Sequence, residues 1–351
     1  MFFDTKKVIG LDIGTSSIKL AELEVSRKGA VLTGFGFVAT PVGSISAGEI
    51  MDPSALSRAI QSLVLEVKTK RKHVATGVWG AAVIVKKISM PRMNPKVLSE
   101  QIRWEAEQYI PFEMNSINLD YHILKKNSEG LDSMEVLLIA AQKDFVFRYA
   151  ESVESAGLNC AIVDVSAFAV ANTFQFNYGE DFPATVGLLD FGAGVCNFVV
   201  IHKGEVIFSR DVLIGGQAFT NEIHKQLGVS LDEAEGMKIS ASSGKDVPQE
   251  VISIMQTLTE SMVDELQRAF DFFQATIADA SIQKFYISGG GMGAYGLVET
   301  FSRQVQIPCE LFNPFVNISY SSKVFSSEYI AQITHYAPVA LGLALRKVGD
   351  R

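Results

Sequence analysis

Apolar and polar positions alternate with a period of two over three stretches near the start of the chain, KKVIGLDIG, SIKLAELEV and AVLTGFGFVA, which predicts three half-buried strands. The short polar break at Ser26 to Gly29 makes the last two antiparallel neighbours. Apolar residues then recur at helical spacing from about Pro53 to Thr69, and strand patterning returns in HVATGVWGAAVIVKKISM. A block of different character follows: helix PKVLSEQIRWEAEQYI, strand SINLDYHILKK, turn NSEGLDS, strand MEVLLIAA, helix KDFVFRYAESVESAG and strand LNCAIVDVS. This reads as a small α+β unit with a hairpin at Ser-Glu-Gly-Leu-Asp.

Near residue 184 the opening pattern returns. ATVGLLDFGAGVCNFVVIHKGEVIFSRDVLIGG is again strand, acid and glycine, strand, turn, strand. A repeat with a period of about 175 residues makes the chain two similar halves. Between Ser230 and Ala280 the pattern is helical, and from Lys284 to Gly291 a strand runs into three glycines. The segment YAPVALGLALRKV is the last helix, and the stripe Leu266, Phe270, Phe273, Ile277 is expected in the core.

A length of 351 residues suffices for two lobes, each with its own core, and 48% hydrophobic with 20% charged content is that of a globular chain. The formal charge of -8 argues against a nucleic-acid partner, which asks for a basic face. Lys68, Lys70, Arg71 and Lys72 are the one basic cluster; they end the first helix as a solvated, dipole-complementing cap or as a partner surface. Cys160, Cys196 and Cys309 are odd in number and embedded in apolar sequence, as in a reducing compartment. The N-terminal MFFDTKK has no apolar signal core, and the apolar run near residues 184 to 201 is interrupted by Asp190, glycines and Asn197. The expectation is a cytoplasmic protein that reaches a membrane only through a partner.

Chemistry concentrates in four places. In VIGLDIGTSSIKLAELE, a strand delivers Asp12 to a turn where Gly14 permits close approach, Thr15, Ser16 and Ser17 offer hydroxyl and N–H donors, and the next strand carries Lys19. Such a turn can cup a polyphosphate with backbone N–H groups while the acid holds a hydrated divalent cation. The alternative is an ordinary hairpin with Asp12 capping its own turn. LLDFGAGVCNFVVI repeats the arrangement with Asp190, Gly192, Ala193 and Gly194, so two such hairpins would face each other. In YISGGGMGAYGLVETFSR, Gly289, Gly290, Gly291 and Met292 join a strand to a helix, a backbone suited to passing under a base or ribose. In VSLDEAEGMK, Ser230 and Glu233 form a capping box, and Glu235 and Lys238 share a helix face, as a ligand pair or as a surface ion pair. There is no P-loop, since Gly244-Lys245 is followed by Asp246. No residue stands out as a general base for hydrolysis; Asn172, Gln175 and the five scattered histidines sit in no catalytic motif. Trp104 and Tyr109 are either subdomain core or the wall of a groove for a peptide.

The hairpins and the triple glycine, in this order, resemble the actin, sugar kinase and DnaK-type chaperone superfamily. The segments MPRMNPKVLSEQIRWEAEQYIPFEMNSINLDYHIL, MEVLLIAAQKDFVFRYAESVESAGL, CAIVDVSAFAVANTF and LTESMVDELQRAFDFFQAT resemble the PilM family, the actin-like proteins of type IV pilus assembly, close to FtsA. The resemblance implies an α/β, actin-like two-lobed ATPase fold with a duplicated mixed-sheet core and an FtsA-like inserted α+β subdomain. It implies a first lobe from residues 1–87, 162–183 and 333–351, an insert at 88–161, a second lobe from 184–229 and 284–332, and a helical subdomain at 230–283. ATP would lie between the lobes, with Asp12 and Asp190 near Mg²⁺ through water, Gly215 and Gly216 lining the cofactor, and Glu235 and Lys238 at the ribose. Ala337 and Gly342 would be the close-packing residues of a closing connector helix. Cys196 stands where a Ser or Thr usually contacts phosphate, and a thiol is a poor donor.

The implied role is an ATP-binding cytoplasmic adaptor, peripheral at the inner face of the bacterial inner membrane. It would bind the N-terminal cytoplasmic segment of PilN, connect to pilus motor ATPases, turn ATP over slowly or not at all, and leave a homo-oligomer open. The rivals are an FtsA-like division or filament-forming actin, and a small-molecule kinase of the same superfamily, for which no substrate-activating acid is evident.

Overall fold

A computed structural model describes residues 7–26, 29–124, 132–179, 182 and 184–350. The opening alternation becomes strands β1 (Ile9–Ile13), β2 (Ser17–Ser26) and β3 (Gly29–Ala39), an antiparallel meander. A small hairpin, β4 (Ile45–Ser46) and β5 (Glu49–Ile50), leads into helix α1 (Pro53–Val67). That helix starts where the Asp52 side chain accepts the Ala55 amide and Pro53 supplies a pre-set φ; it stops where Lys68 turns left-handed. Its Leu56, Ile60 and Leu63 bury against the first sheet. Strand β6 (His73–Val78) then pairs parallel with β1.

The middle block forms β7 (Val83–Pro91), α2 (Pro95–Glu107), β8 (Ile117–Leu124) and β9 (Ser133–Gln142), followed by α3 (Lys143–Ser155), β10 (Asn159–Val165) and α4 (Ser166–Tyr178). Strands β7, β9 and β8, in that spatial order, make a three-stranded antiparallel sheet. Its core joins Ile88, Val136 and Leu138 to Leu98, Ile102 and Ala106 of α2. The expected turn at Ser-Glu-Gly-Leu-Asp lies, but for its last residue, outside the described residues, although β8 and β9 do pair antiparallel. Two boundaries of the insert expected at 88–161 are corrected. The sheet begins at Val83, and β10 pairs parallel with β6 in the first sheet, because its own partners lie there and not in the middle block.

The second half repeats the first: β11 (Val186–Phe191), β12 (Cys196–His202) and β13 (Glu205–Val212) form a meander, followed by helices α5 (Gly216–Leu227), α6 (Leu231–Ser242) and α7 (Gln249–Thr276). Strand β14 (Lys284–Ser288) pairs parallel with β11 as β6 does with β1, and α8 (Leu297–Val305) leads to β15 (Cys309–Leu311). The two sheets run β10-β6-β1-β2-β3 and β15-β14-β11-β12-β13, the same connectivity twice. The stripe Leu266, Phe270, Phe273, Ile277 is buried in the second core.

The chain then returns to the first sheet. Strand β16 (Ile318–Tyr320) pairs parallel with β3, and helix α9 (Ser327–Ile333) buries Ile330 and Ile333 beside Leu23 and Leu32. Residues 318–332, expected with the second lobe, therefore sit on the first, since the exposed edge of β3 accepts β16 as a sixth strand. Helix α10 (Pro338–Ala344) is wedged between β1 and α4. A Cβ on Gly342 would lie 1.8 Å from the Ala169 carbonyl oxygen, and one on Gly10 would lie 2.0 Å from that of Ala340. Only hydrogen fits at either crossing. Ala337 is fully buried in the same region.

Candidate nucleotide-binding cleft

Each half ends its first strand in the same tight turn. The Gly14 amide donates to the Ser17 carbonyl at 3.2 Å, and the Gly192 amide donates to that of Val195 at 2.8 Å. Thr40 braces the first turn, its hydroxyl donating to the Gly14 carbonyl at 2.6 Å and its amide to that of Ser16 at 3.0 Å. The turns meet: a Cβ on Gly194 would lie 2.6 Å from Thr15 Oγ1. That hydroxyl is buried and has no hydrogen-bond partner. Among the described residues, the amides of Thr15, Ser16, Ala193 and Gly194 donate to no protein acceptor.

The acids stand at equivalent places with different neighbours. Asp12 on β1 faces Lys19 on β2, and the two pair at 2.9 Å. Asp190 on β11 faces Asn197 on β12 and accepts the Ser288 hydroxyl at 2.7 Å. Burial pushes the Asp190 carboxyl up to about 6, and the charge of Asp12 adds to the rise while Ser288 and Lys19 oppose it. No group of three or more His, Cys, Asp or Glu side chains gathers as a direct metal ligand set among the described residues. Two carboxylates that reach a cation through its water are consistent with that.

Two glycine segments close on the second turn. Gly289 (φ +90°) follows β14 so tightly that a Cβ would lie 2.2 Å from the Phe191 carbonyl oxygen, and its amide donates to His335, just before α10, at 2.6 Å. Gly290, Gly291 and Met292 continue as a single helical turn, with Gly291 against the Gly192 carbonyl. Gly215 lies against Ala193, and the Gly216 amide donates to the Gly192 carbonyl at 3.0 Å. The capping box of Ser230 and Glu233 starts α6 as expected. That helix brings Lys238 to the same cluster, where its ammonium donates to Glu235 at 2.6 Å, to the Thr220 hydroxyl at 3.0 Å and to the Gly216 carbonyl at 3.2 Å.

The sequence reading missed Thr220, which also donates to Glu235, and it missed Ser288 and Asp211. Asp211 accepts from the Asn197 side chain at 2.7 Å and from the Gly80 amide of the first half at 2.7 Å. The available signal was an acid in an apolar strand just ahead of a Gly-Gly pair, FSRDVLIGG. The reading of Cys196 is corrected. Its side chain is fully buried in the second core, at the position where the first hairpin has Ile18, and burial pushes its thiol pKa well above the usual range. Val195 occupies the turn position of Ser17, and its side chain joins the core of the first half. Trp104 is exposed, and Tyr109 is half-buried under the Lys86 ammonium.

Unused amides, an orphan hydroxyl and backbone packed too closely for side chains suit an anionic, phosphate-bearing ligand. The duplicated sheets and paired turns are those of the actin-like ATPase fold. Solved structures of that fold align with nearly the whole chain: MreB 5 of Spiroplasma citri bound to AMPPNP over 97% of this chain and 95% of its own (TM-score 0.52, 14% identity), and the ethanolamine utilization protein EutJ of Carboxydothermus hydrogenoformans over 97% and 89% (0.56, 16%). Residues 10–348 match the family model of the type IV pilus assembly protein PilM, and the chain belongs to that family. A PilM-PilN type IV pilus biogenesis complex contains a chain that aligns over 97% of this one and 98% of its own, with a TM-score of 0.87 and 29% identity. The cell division protein FtsA of Enterococcus hirae is 22% identical over 88% of this chain and 79% of its own length.

Proposed function

We propose that the protein is an ATP-binding adaptor of the type IV pilus inner-membrane complex, which holds the N-terminal cytoplasmic segment of PilN and links it to the pilus motor ATPases. The observation that carries this is the end-to-end likeness to the chain of the PilM-PilN complex. The cleft supports the nucleotide. The free amides of Thr15, Ser16, Ala193 and Gly194 and the Thr15 hydroxyl would receive phosphate oxygens; Asp12 and Asp190 would hold the waters of Mg²⁺; Glu235 and Lys238 would meet the ribose, and residues 289–292 the base. Mg²⁺ would neutralise phosphate charge there and favour the ionised form of Asp190.

A ligand that binds one separation of the halves better than another shifts the population without chemistry, so the adaptor works with little or no turnover. No helix among the described residues is long and apolar enough to cross a membrane. In this reading PilN would supply the attachment. Co-sedimentation with vesicles that carry full-length PilN tests the role. The chain is expected to sediment with them, and not with vesicles carrying PilN trimmed of its cytoplasmic segment. Equal sedimentation with both, or none with either, overturns the proposal.

A further inference from the structure

Asp211 belongs to β13 in the second half, yet it reaches the first. Its Oδ2 accepts the Gly80 amide at 2.7 Å, while its Oδ1 accepts Nδ2 of Asn197 at 2.7 Å. Asn197 is the cross-strand partner of Asp190, so one carboxylate joins the second phosphate-type hairpin to Gly80. Loss of solvent raises the Asp211 pKa, and the two hydrogen bonds oppose the rise, as they would for an acid held in place as an acceptor.

Gly80 sits in the connection from β6 to β7, where the chain leaves the first sheet and enters the three-stranded one. Its backbone (φ +103°) admits no side chain, since a Cβ would lie 2.8 Å from the Ala47 carbonyl oxygen. Next to Ala47, Gly48 packs just as closely on Trp79, and its carbonyl accepts the Tyr149 hydroxyl at 2.8 Å. Tyr149 is fully buried on α3, the helix by which the chain leaves the three-stranded sheet again. Its phenol pKa is driven upward by burial first, then by the charges of Asp12 and Asp211. The crossings of the chain into and out of the three-stranded sheet are therefore tied to one of the places where the second half touches the first.

We propose that the Asp211–Gly80 hydrogen bond is a latch through which the separation of the two halves, set by the nucleotide, is passed to the three-stranded unit. This rests on the nucleotide reading of the cleft and adds the route by which occupancy regulates the adaptor. The latch is a bond that exists in one arrangement of the halves and breaks in the other, which is what coupling between two sites requires. Asp211 acts as a positioning residue.

Hydrogen exchange on the full chain, with and without Mg-ATP, tests it in peptides covering residues 77–91. In the wild type, Mg-ATP is expected to slow exchange at the Gly80 connection about tenfold, within the usual range of allosteric coupling. Asp211→Ala removes both acceptors and should abolish that slowing. Asp211→Asn keeps an oxygen for the Gly80 amide and, with the Asn197 amide turned over, its second partner; it should restore most of the effect even if the alanine variant folds poorly. The same slowing in Asp211→Ala as in the wild type overturns the latch. So does ATP binding, seen by titration, that leaves the connection unchanged in the wild type. Absence of ATP binding in the wild type removes the nucleotide reading and the latch with it, an outcome the titration separates from the other two.

Discussion

Asp190 offers the most quantitative test of the cleft. Its carboxyl is buried against Ser288 and within reach of the Asp12 charge, which lifts its pKa from 3.8 to about 6. The native state therefore binds a proton that the unfolded chain has already released between about pH 4 and pH 6. Stability contributed by this group is complete below the unfolded value and is lost as pH rises through the native one. A shift of this size corresponds to about 3 kcal/mol at neutral pH. Asp190→Asn removes the charge at nearly constant shape and keeps an oxygen for the Ser288 hydroxyl. Urea unfolding of the nucleotide-free protein at pH 4 and pH 7.5 should find the two proteins similar in acid and the variant more stable by up to about 3 kcal/mol at the higher pH. Asp164 and Asp211 are also raised by burial, but they contribute equally to both proteins and cancel in the difference. Mg-ATP affinity at neutral pH should fall in the variant, because a cation held there through water would lose an anion. A parallel pH dependence in the two proteins, or a variant less stable at pH 7.5, would refute the claim that this acid carries stored electrostatic cost.

Other substitutions separate the cleft from the scaffold. Thr15→Val removes the orphan hydroxyl, so thermal stability without nucleotide should hold or rise slightly while a nucleotide titration shows affinity lowered about tenfold, the worth of one charge-assisted hydrogen bond. Asp12→Ala should abolish stabilisation by Mg-ATP in a thermal-shift assay; an unchanged shift would remove the first hairpin from the site. Gly342→Ala drives a methyl into the Ala169 carbonyl and should cost on the order of 3 kcal/mol in urea unfolding, or prevent folding. Cys196→Thr buries a hydroxyl in the second core and should destabilise by about 1–3 kcal/mol with ATP affinity nearly unchanged; a selective loss of ATP affinity would place the thiol at the phosphates after all.

Local chemistry made the hairpins legible. An acid followed two residues later by glycine inside an alternating run is an interruption visible without partners, and it occurs at Asp12 and again at Asp190. The capping box and the Glu235–Lys238 spacing are equally local, and both appear in α6. What escaped depends on residues far apart in the chain. Asp211 means little until Gly80 is beside it, Ser288 until β14 pairs with β11, and Thr220 until α5 lies against α6. Strand β16 has only three residues, too few for periodicity, and its place is decided by the free edge of β3. Cys196 was placed, from its proximity to the glycine turn, as a poor donor at a phosphate-contact position, whereas the two-residue alternation of β12 turns it to the opposite side, into the core.

The most direct measurement is a calorimetric titration of the protein with the N-terminal cytoplasmic peptide of PilN, with and without Mg-ATP. Saturable binding at one site, with an affinity that changes when Mg-ATP is present, is the predicted result, and the ratio of the two affinities gives the coupling free energy. Absence of binding in both states would contradict the adaptor role.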